Sequence, residues 1–404
     1  MGRQQRVAVV GSAHLDVVGD YKESGILDKP GSVSFSTGGS GYNVAIGLAG
    51  LRCDVRFLTF LKEGSLISPL VLSQLKVNRI KPFRIKSLER GQNKASEAPP
   101  PSGFVAHRGP SGEISAAVTS TTIDRLLFLE GSKEWQLLRK ALSGAKAVFV
   151  DANLSPVGLL AVIAEARSLP DRRVIVGAVS ERKIRNIRDI VDPSLRTDVV
   201  CASELEVASL DSEFEPETGA DRSEAARVFL GQRLQKQEYV QTLLTTLRTR
   251  AVALTRRGDG VRIYLESGES LDLRLPTVDG IKSRTGVGDA IAAAITVHLS
   301  TPGCSISGAE VSSMQNLIDA SVSPVLREIG ATRGSNLDLD EEEQKRASSF
   351  LGQAINRVRD FVVGVAISKA AAGVFTAILL LVVGMAFGTG AWIYTWLQGL
   401  LKPH

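Results

Sequence analysis

The stretch that most constrains this chain is a glycine turn opening an apolar helix. It runs Thr285-Gly286-Val287-Gly288-Asp289 into the Ala-rich segment 290–299. Gly286 and Gly288 let the backbone bend sharply and let a ligand approach it closely. Successive N–H groups at a helix start point outward and carry the positive end of the helix dipole. Such a turn suits the negative charge of a phosphoryl group in transfer. Asp289 then stands where a carboxylate can take a proton from an attacking hydroxyl, and the helix end would keep it ionised. An isolated motif of this length also occurs as an ordinary loop capped by an aspartate.

A second glycine signal near the start of the chain shifts that balance. Gly38-Gly39-Ser40-Gly41-Tyr42-Asn43 precedes Val44, Leu48 and Leu51 at helical spacing. It reads as another turn entering a helix, with Asn43 in the first turn. Upstream, residues 6–11 form a β-branched run ending in glycine, with His14 and Asp16 just beyond it. In open α/β sheets, ligands bind past the carboxyl ends of strands, so this pair is a candidate for ligand hydroxyls.

Residues 17–37 read as a small excursion with a strand at 33–36. Residues 54–60 read as a strand and 66–75 as a helix, and a proline-rich break covers 97–101. Strands at 103–106 and 114–119 flank the turn 110–113, and this hairpin would pair with the first excursion as a lid. From residue 145 strands and helices alternate: strands at 148–151, 174–177, 199–201 and 252–255, and a helix at 156–168. The last strand closes on Gly258-Asp259-Gly260. Helices are expected at 306–318 and 320–329. This rhythm predicts an α/β fold, a mostly parallel sheet with helices on both faces.

The 404 residues suffice for one large α/β domain with additions. A net charge of +5, with no basic stripe interleaved with aromatics, gives no footprint for nucleic acid. The basic stretch from Lys76 to Lys94 reads as a solvated strand and loop. Cys53, Cys201 and Cys304 lie far apart, without metal-ligand spacing among themselves, which fits a reducing compartment. Arg3 and Arg6 lead into the first strand without a signal-peptide pattern.

The composition changes near the end. Residues 370–401 contain no charged side chain, and the run 374–387 is far more apolar than a soluble helix. About 20 such residues span a bilayer. Trp392, Tyr394 and Trp396 sit at one end as interfacial aromatics do. Arg346, Arg357, Arg359 and Lys369 precede the span, which places the large domain in the cytoplasm. The division is therefore a domain over 1–334, a charged linker or helix over 335–369 and a transmembrane region over 370–401.

Together these motifs resemble the ribokinase-like (PfkB) carbohydrate kinases over roughly residues 6–330. Gly38 to Asn43 resembles the family's first signature and Thr285 to Asp289 its second. Asp151-Ala152-Asn153-Leu154 and 178–183 resemble the pseudouridine kinase subgroup. The resemblance implies ATP with Mg²⁺, and a sugar or nucleoside hydroxyl as acceptor. It implies that Gly286, Val287, Gly288 and Asp289 are catalytic. His14, Asp16, Gly38, Gly39, Asn43 and Asn153 would hold the acceptor. Ser203, Thr255, Gly258, Gly260 and Thr285 would hold the nucleotide, and Glu206 would serve the metal through water. A homodimer is a further expectation.

Several residues depart from the family pattern. Ser203 replaces the asparagine usual three residues before Glu206. Ser283 and Arg284 replace an aspartate and a small hydroxyl residue. Arg256 and Arg257 stand where an apolar residue and a glycine are common. The aspartates usual after the second sheet strand are missing from 62–65. These changes keep open a non-catalytic reading, a ribokinase-like binding protein that signals at the membrane. A hydrolase is disfavoured because no Gly-x-Ser-x-Gly elbow follows a strand. The expected anchor has a direct test: the full chain should pellet with membranes and resist carbonate and high salt. Release by high salt alone would contradict it, because screened charges do not hold an embedded apolar span.

Overall fold

The structure, a computed structural model, describes residues 4–21, 31–63, 65, 67–86, 102–108, 114–190, 192, 194–216, 221–256, 259–278 and 286–327. Gly258, Thr285, Ser283, Arg284, Arg257, the turn 110–113 and the segments 335–369 and 370–401 lie outside these residues. Among the described residues no helix is long and apolar enough to cross a membrane.

The first elements are β1 (Arg6–Val10), β2 (His14–Tyr21), β3 (Gly31–Gly38), α1 (Ser40–Gly50), β4 (Asp54–Phe60), α2 (Ile67–Val77) and β5 (Lys81–Ile85). The hairpin β6 (Gly103–Arg108) and β7 (Ile114–Ser120) follows. Then come α3 (Lys133–Leu142), β8 (Ala147–Asp151), α4 (Pro156–Arg167), β9 (Arg173–Gly177), α5 (Ile184–Arg188), β10 (Val199–Ser203) and α6 (Glu204–Ala208). The chain continues through α7 (Arg222–Arg233), α8 (Gln237–Thr246), β11 (Ala251–Arg256), β12 (Gly260–Leu265), β13 (Ser270–Leu273), α9 (Val287–Ser300) and α10 (Val311–Arg327).

Contacts divide the chain into Met1–Val18 with Phe35–Ser335, and Gly19–Ser34 with Asn336–His404. Of the second unit the structure describes only Gly19–Tyr21 and Gly31–Ser34, extended backbone of β2 and β3.

The main sheet has nine strands in the order β13-β12-β11-β10-β9-β8-β1-β4-β5. From β5 to β11 every pairing is parallel; β12 and β13 are added antiparallel at one edge. In a covered parallel sheet both faces are buried, and β1 shows the consequence. Val7 and Val9 pack with Phe57, Phe149 and Ile175 against α1, α2, α9 and α10. Ala8 and Val10 pack with Val148, Val150, Val174 and Val176 on the face covered by α3, α4, α5, α7 and α8. The edge strand β5 carries Lys81 and Arg84, charges that discourage further strand addition. The basic stretch thus includes a sheet edge. A separate four-stranded sheet has the order β3-β2-β6-β7, so the first excursion and the hairpin do pair.

Parallel strands bring their carboxyl ends to one edge. Pairing of Val10 with Val150, Asp151 with Gly177, Gly177 with Cys201, and Ser203 with Thr255 sets those ends side by side. The two glycine turns open there, one into α1 and one into α9. Helix α9 is apolar on all sides, and every residue from Ala290 to Ser300 is buried. Two helices were expected over 306–329, but a single one, α10, is present. Met314, Ile318, Val322 and Leu326 keep one buried stripe through it, and Pro324 lies inside it. Continuous packing on α9 outweighs the backbone hydrogen bond lost at the proline. Ile295→Ala, deep in α9, should cost about 2–5 kcal/mol by chemical denaturation. Val228→Ala, on the exposed face of α7, should stay within about 0.5 kcal/mol.

Candidate active site

The two turns need glycine for different reasons. Gly39 precedes α1 at φ 106°, and a Cβ there would meet the Ser12 carbonyl oxygen at 2.6 Å. At Gly41 a Cβ would meet the Cα of Gly11 at 2.6 Å, so two backbones pass in contact. Gly286 precedes α9 in the left-handed region, at φ 86°.

The turns meet at Asp289. Ser40 Oγ donates to its Oδ1 at 2.7 Å and Asn43 Nδ2 donates to its Oδ2 at 2.8 Å. Enclosure by protein raises the Asp289 carboxyl to about 6, although these two hydrogen bonds favour its ionised form; Asp151 and Asp16 add to the rise. Burial outweighs the hydrogen bonds from Ser40 and Asn43, and the carboxyl remains ionised above about 6.

Beneath this pair lies a hub on Asp151. Its Oδ2 accepts from Ser12 N at 2.7 Å, Ser12 Oγ at 2.9 Å and Gly41 N at 2.9 Å. Its Oδ1 accepts from Asn153 N at 3.1 Å, and Asn153 Nδ2 donates to Ser12 Oγ at 2.9 Å. One buried carboxylate thus ties the ends of β1 and β8 to the start of α1. Asn153 belongs to this hub. Neither Ser12 nor Asp151 stood out in the sequence as a site residue, because Ser12 and Gly41 lie more than a hundred residues from Asp151.

The acceptor candidates gather on the other side. His14 Nε2 lies 3.0 Å from Asp16 Oδ1, and the His14 ring centroid is 6.5 Å from that of Phe104 in β6. Gly38 is bare because the Asp16 carboxylate lies against it: a Cβ would meet Oδ2 at 2.1 Å. Among the described residues His14 Nδ1 and Asn43 Oδ1 are buried without a hydrogen-bond partner, and Asp16 Oδ1 has only the close His14 Nε2. Buried polar atoms are normally satisfied, so these two atoms beside the Asp16 carboxylate suit a polyhydroxylated ligand.

On the far side of Asp289 lies a cavity of about 570 Å³. The ends of β9, β10 and β11 wall it through Gly177, Ser203 and Thr255; Glu206, Arg256 and the turn at Gly286–Asp289 are also among its lining residues. Gly260 is not among the lining residues. A Cβ there would strike the Leu273 carbonyl oxygen at 2.1 Å, so this glycine serves the close pairing of β12 with β13. Ser203 caps α6: its Oγ accepts from Glu206 N at 3.3 Å, while Glu206 Oε2 accepts from Ser203 N at 2.7 Å. Burial pushes the Glu206 carboxyl up to about 7 against these hydrogen bonds. Cys201 beside it is held as a thiol, pushed up to about 12 by burial, with Asp289 and Glu206 contributing. Arg256 pairs with Asp272 at 2.7 Å, and its Nε is buried without a partner.

No family model matches the chain, and no curated protein matches it. Solved structures do match. Ribokinase from Giardia lamblia is 19% identical with a TM-score of 0.61, covering 86% of this chain and all of that one. Adenosine kinase from Sinorhizobium meliloti is 13% identical with a TM-score of 0.58, over 86% and 100%. Ribokinase from Arabidopsis thaliana, complexed with ribose and ATP, is 15% identical with a TM-score of 0.54, over 81% and 95%. The fold is therefore ribokinase-like.

A carboxyl raised from 3.8 to about 6 makes the fold less stable as pH rises. Its contribution is full below about 4 and is lost as pH climbs through 6. Asp289→Asn removes that titration, so the variant should gain on the parent between pH 4 and 7. Two pKa units at 1.36 kcal/mol each set the gain at about 3 kcal/mol. Denaturant unfolding at pH 4 and pH 8 reads it; a difference independent of pH would contradict the assignment.

Proposed function

We propose that this chain is an ATP-dependent kinase that phosphorylates a hydroxyl group of a sugar or nucleoside. The observation that carries the reading is the convergence of the two glycine turns on Asp289. The carboxylate is fixed by Ser40 and Asn43 from one helix start and stands beside the Gly286–Gly288 backbone of the other. In this reading His14, Asp16 and Asn43 orient the acceptor, His14 and Asn43 through their unpartnered Nδ1 and Oδ1 atoms. Asp289 takes the hydroxyl proton as the oxygen attacks, a late transfer that asks little basicity in a loose transition state. The N–H groups of the Gly286 turn face the phosphoryl group and stabilise its charge.

The cavity is roomy enough for the nucleotide, with Thr255, Ser203 and Arg256 on its wall. Glu206 fits a supporting role toward Mg²⁺: it lines the cavity while Ser203 N holds one of its oxygens. The ion would supply charge neutralisation at the phosphates. The pseudouridine-like motif at Asp151–Leu154 supports a C-nucleoside as acceptor, and β6 and β7 would cover it. We extend the proposal to location: residues 370–401 anchor the chain in a membrane with the large domain on the cytoplasmic side.

A binding protein without turnover is the second reading. Engagement of Glu206 in its capping box and the presence of Arg256 in the cavity favour it. The two separate in one assay, single-turnover phosphorylation of a panel of sugars and nucleosides with labelled ATP. The kinase reading expects turnover that rises with pH through about 6 and levels above it, as Asp289 loses its proton. Asp289→Asn should lower the rate by about 10²–10⁴-fold, the usual worth of a positioned general base. Brisk turnover unaffected by Asp289→Asn would reduce the residue to a helix cap.

A further inference from the structure

At the opposite end of α9 from the active site, a second set of chemically capable side chains converges. His298 lies in the last turn of α9, with its ring 1% exposed. The loop that follows brings Cys304 beside it, and the 3-10 turn Gly308–Glu310 before α10 brings Glu310. One ligating atom from each of the three, imidazole nitrogen, sulfur and carboxylate oxygen, falls within 4.8 Å of the others. His298 Nε2 and Glu310 Oε2 are 3.4 Å apart. Nothing in the phosphotransfer reading uses this cluster. The cysteines taken alone conceal it, because two of the three ligands are a histidine and a glutamate.

We propose that His298, Cys304 and Glu310 bind a transition-metal dication of the zinc class. The donor set is borderline-soft: one imidazole, one thiolate and one carboxylate, as such ions prefer. Bond lengths of about 2.0–2.2 Å to nitrogen and oxygen, in a tetrahedron, separate those two ligands by about 3.4 Å. The Nε2–Oε2 pair already has that spacing, and Cys304, half-buried on a short loop, closes by turning its side chain.

The surroundings support the carboxylate. Ser305 N donates to Glu310 Oε2 at 2.7 Å and Ser305 Oγ donates at 3.3 Å, contacts that orient it as outer-shell partners orient metal ligands. His298 Nε2 now lies 2.8 Å from the Ser305 carbonyl oxygen. Ligation needs the Nδ1–H tautomer: the proton that Nε2 gives to that carbonyl moves to Nδ1, the contact is given up, and the Nε2 lone pair is free for the ion. The Cys304 thiol proton leaves to solvent, and solvent fills the fourth position. The ion would staple the end of α9 to the start of α10. A thiol nucleophile served by the histidine fits less well, since His298 Nε2 faces Glu310 and a carbonyl.

The experiment titrates the full chain with Co²⁺ and with Zn²⁺. The expected result is one Co²⁺ per chain at this site, with a thiolate-to-cobalt charge-transfer band and the visible bands of tetrahedral geometry. Cys304→Ser should abolish the charge-transfer band, and Glu310→Gln should weaken Zn²⁺ binding about tenfold or more. Both positions are partly exposed, so the fold should tolerate the changes. Zn²⁺ should raise the Tm of the parent and leave that of Cys304→Ser unmoved. Cys201 neighbours the active-site carboxylates, so the band must survive Cys201→Ser. A band lost in Cys201→Ser, a band that persists in Cys304→Ser, or no thiolate band at all would overturn the proposal. None of these readings depends on whether the chain phosphorylates anything.

Discussion

The carboxylate of Asp289, held by Ser40 on one oxygen and Asn43 on the other, is the contact on which the site depends. It joins residues almost 250 positions apart and fixes the starts of α1 and α9 against each other. The Asp151 hub performs the same service one layer below, where Gly11, Ser12 and Gly41 crowd around a single carboxylate. Both clusters sit where the parallel strands end. There the sheet has spent its own hydrogen bonds, and loop backbone needs other partners.

Those contacts work against the solvation of charge. Asp289 and Glu206 are each enclosed enough that burial raises their carboxyls, to about 6 and about 7. In the kinase reading this leaves Asp289 ionised above about 6, and the cost of burying the carboxyl falls on the fold. The surrounding apolar layers carry that cost. Helix α9 presents buried side chains in every direction and packs on α1, on α10 and on the sheet. A rigid helix of this kind keeps the Gly286 turn and Asp289 in register.

Local patterns announced much of this in the sequence. The two glycine turns, the β-branched runs at 6–11, 148–151 and 252–255, and the helix at 156–168 carry their signals in adjacent residues. Three features were hidden. Ser40 stands between glycines with no signal of its own, yet its hydroxyl reaches Asp289. Asp151 read as the end of a strand, and only the β1–β8 pairing puts Ser12 and Gly41 onto it. Gly260 read as part of a nucleotide turn, whereas the antiparallel return of β12 onto β13 claims it. In each case the deciding partner is distant in the chain, and periodicity carries no information about it. The helix boundary expected between 318 and 320 shows the converse, since one buried stripe continues through it.

A double-mutant cycle on Asn43→Ala and Asp289→Ala, read by denaturant unfolding, tests the account's centre most directly. A hydrogen bond to an ionised carboxylate contributes about 1.5–3 kcal/mol, so the coupling at pH 8 should fall in that range. Below pH 5, where Asp289 carries its proton, it should shrink. Additivity of the two changes within about 0.5 kcal/mol at pH 8 would mean that the two helix starts are not joined through this carboxylate, contradicting the account.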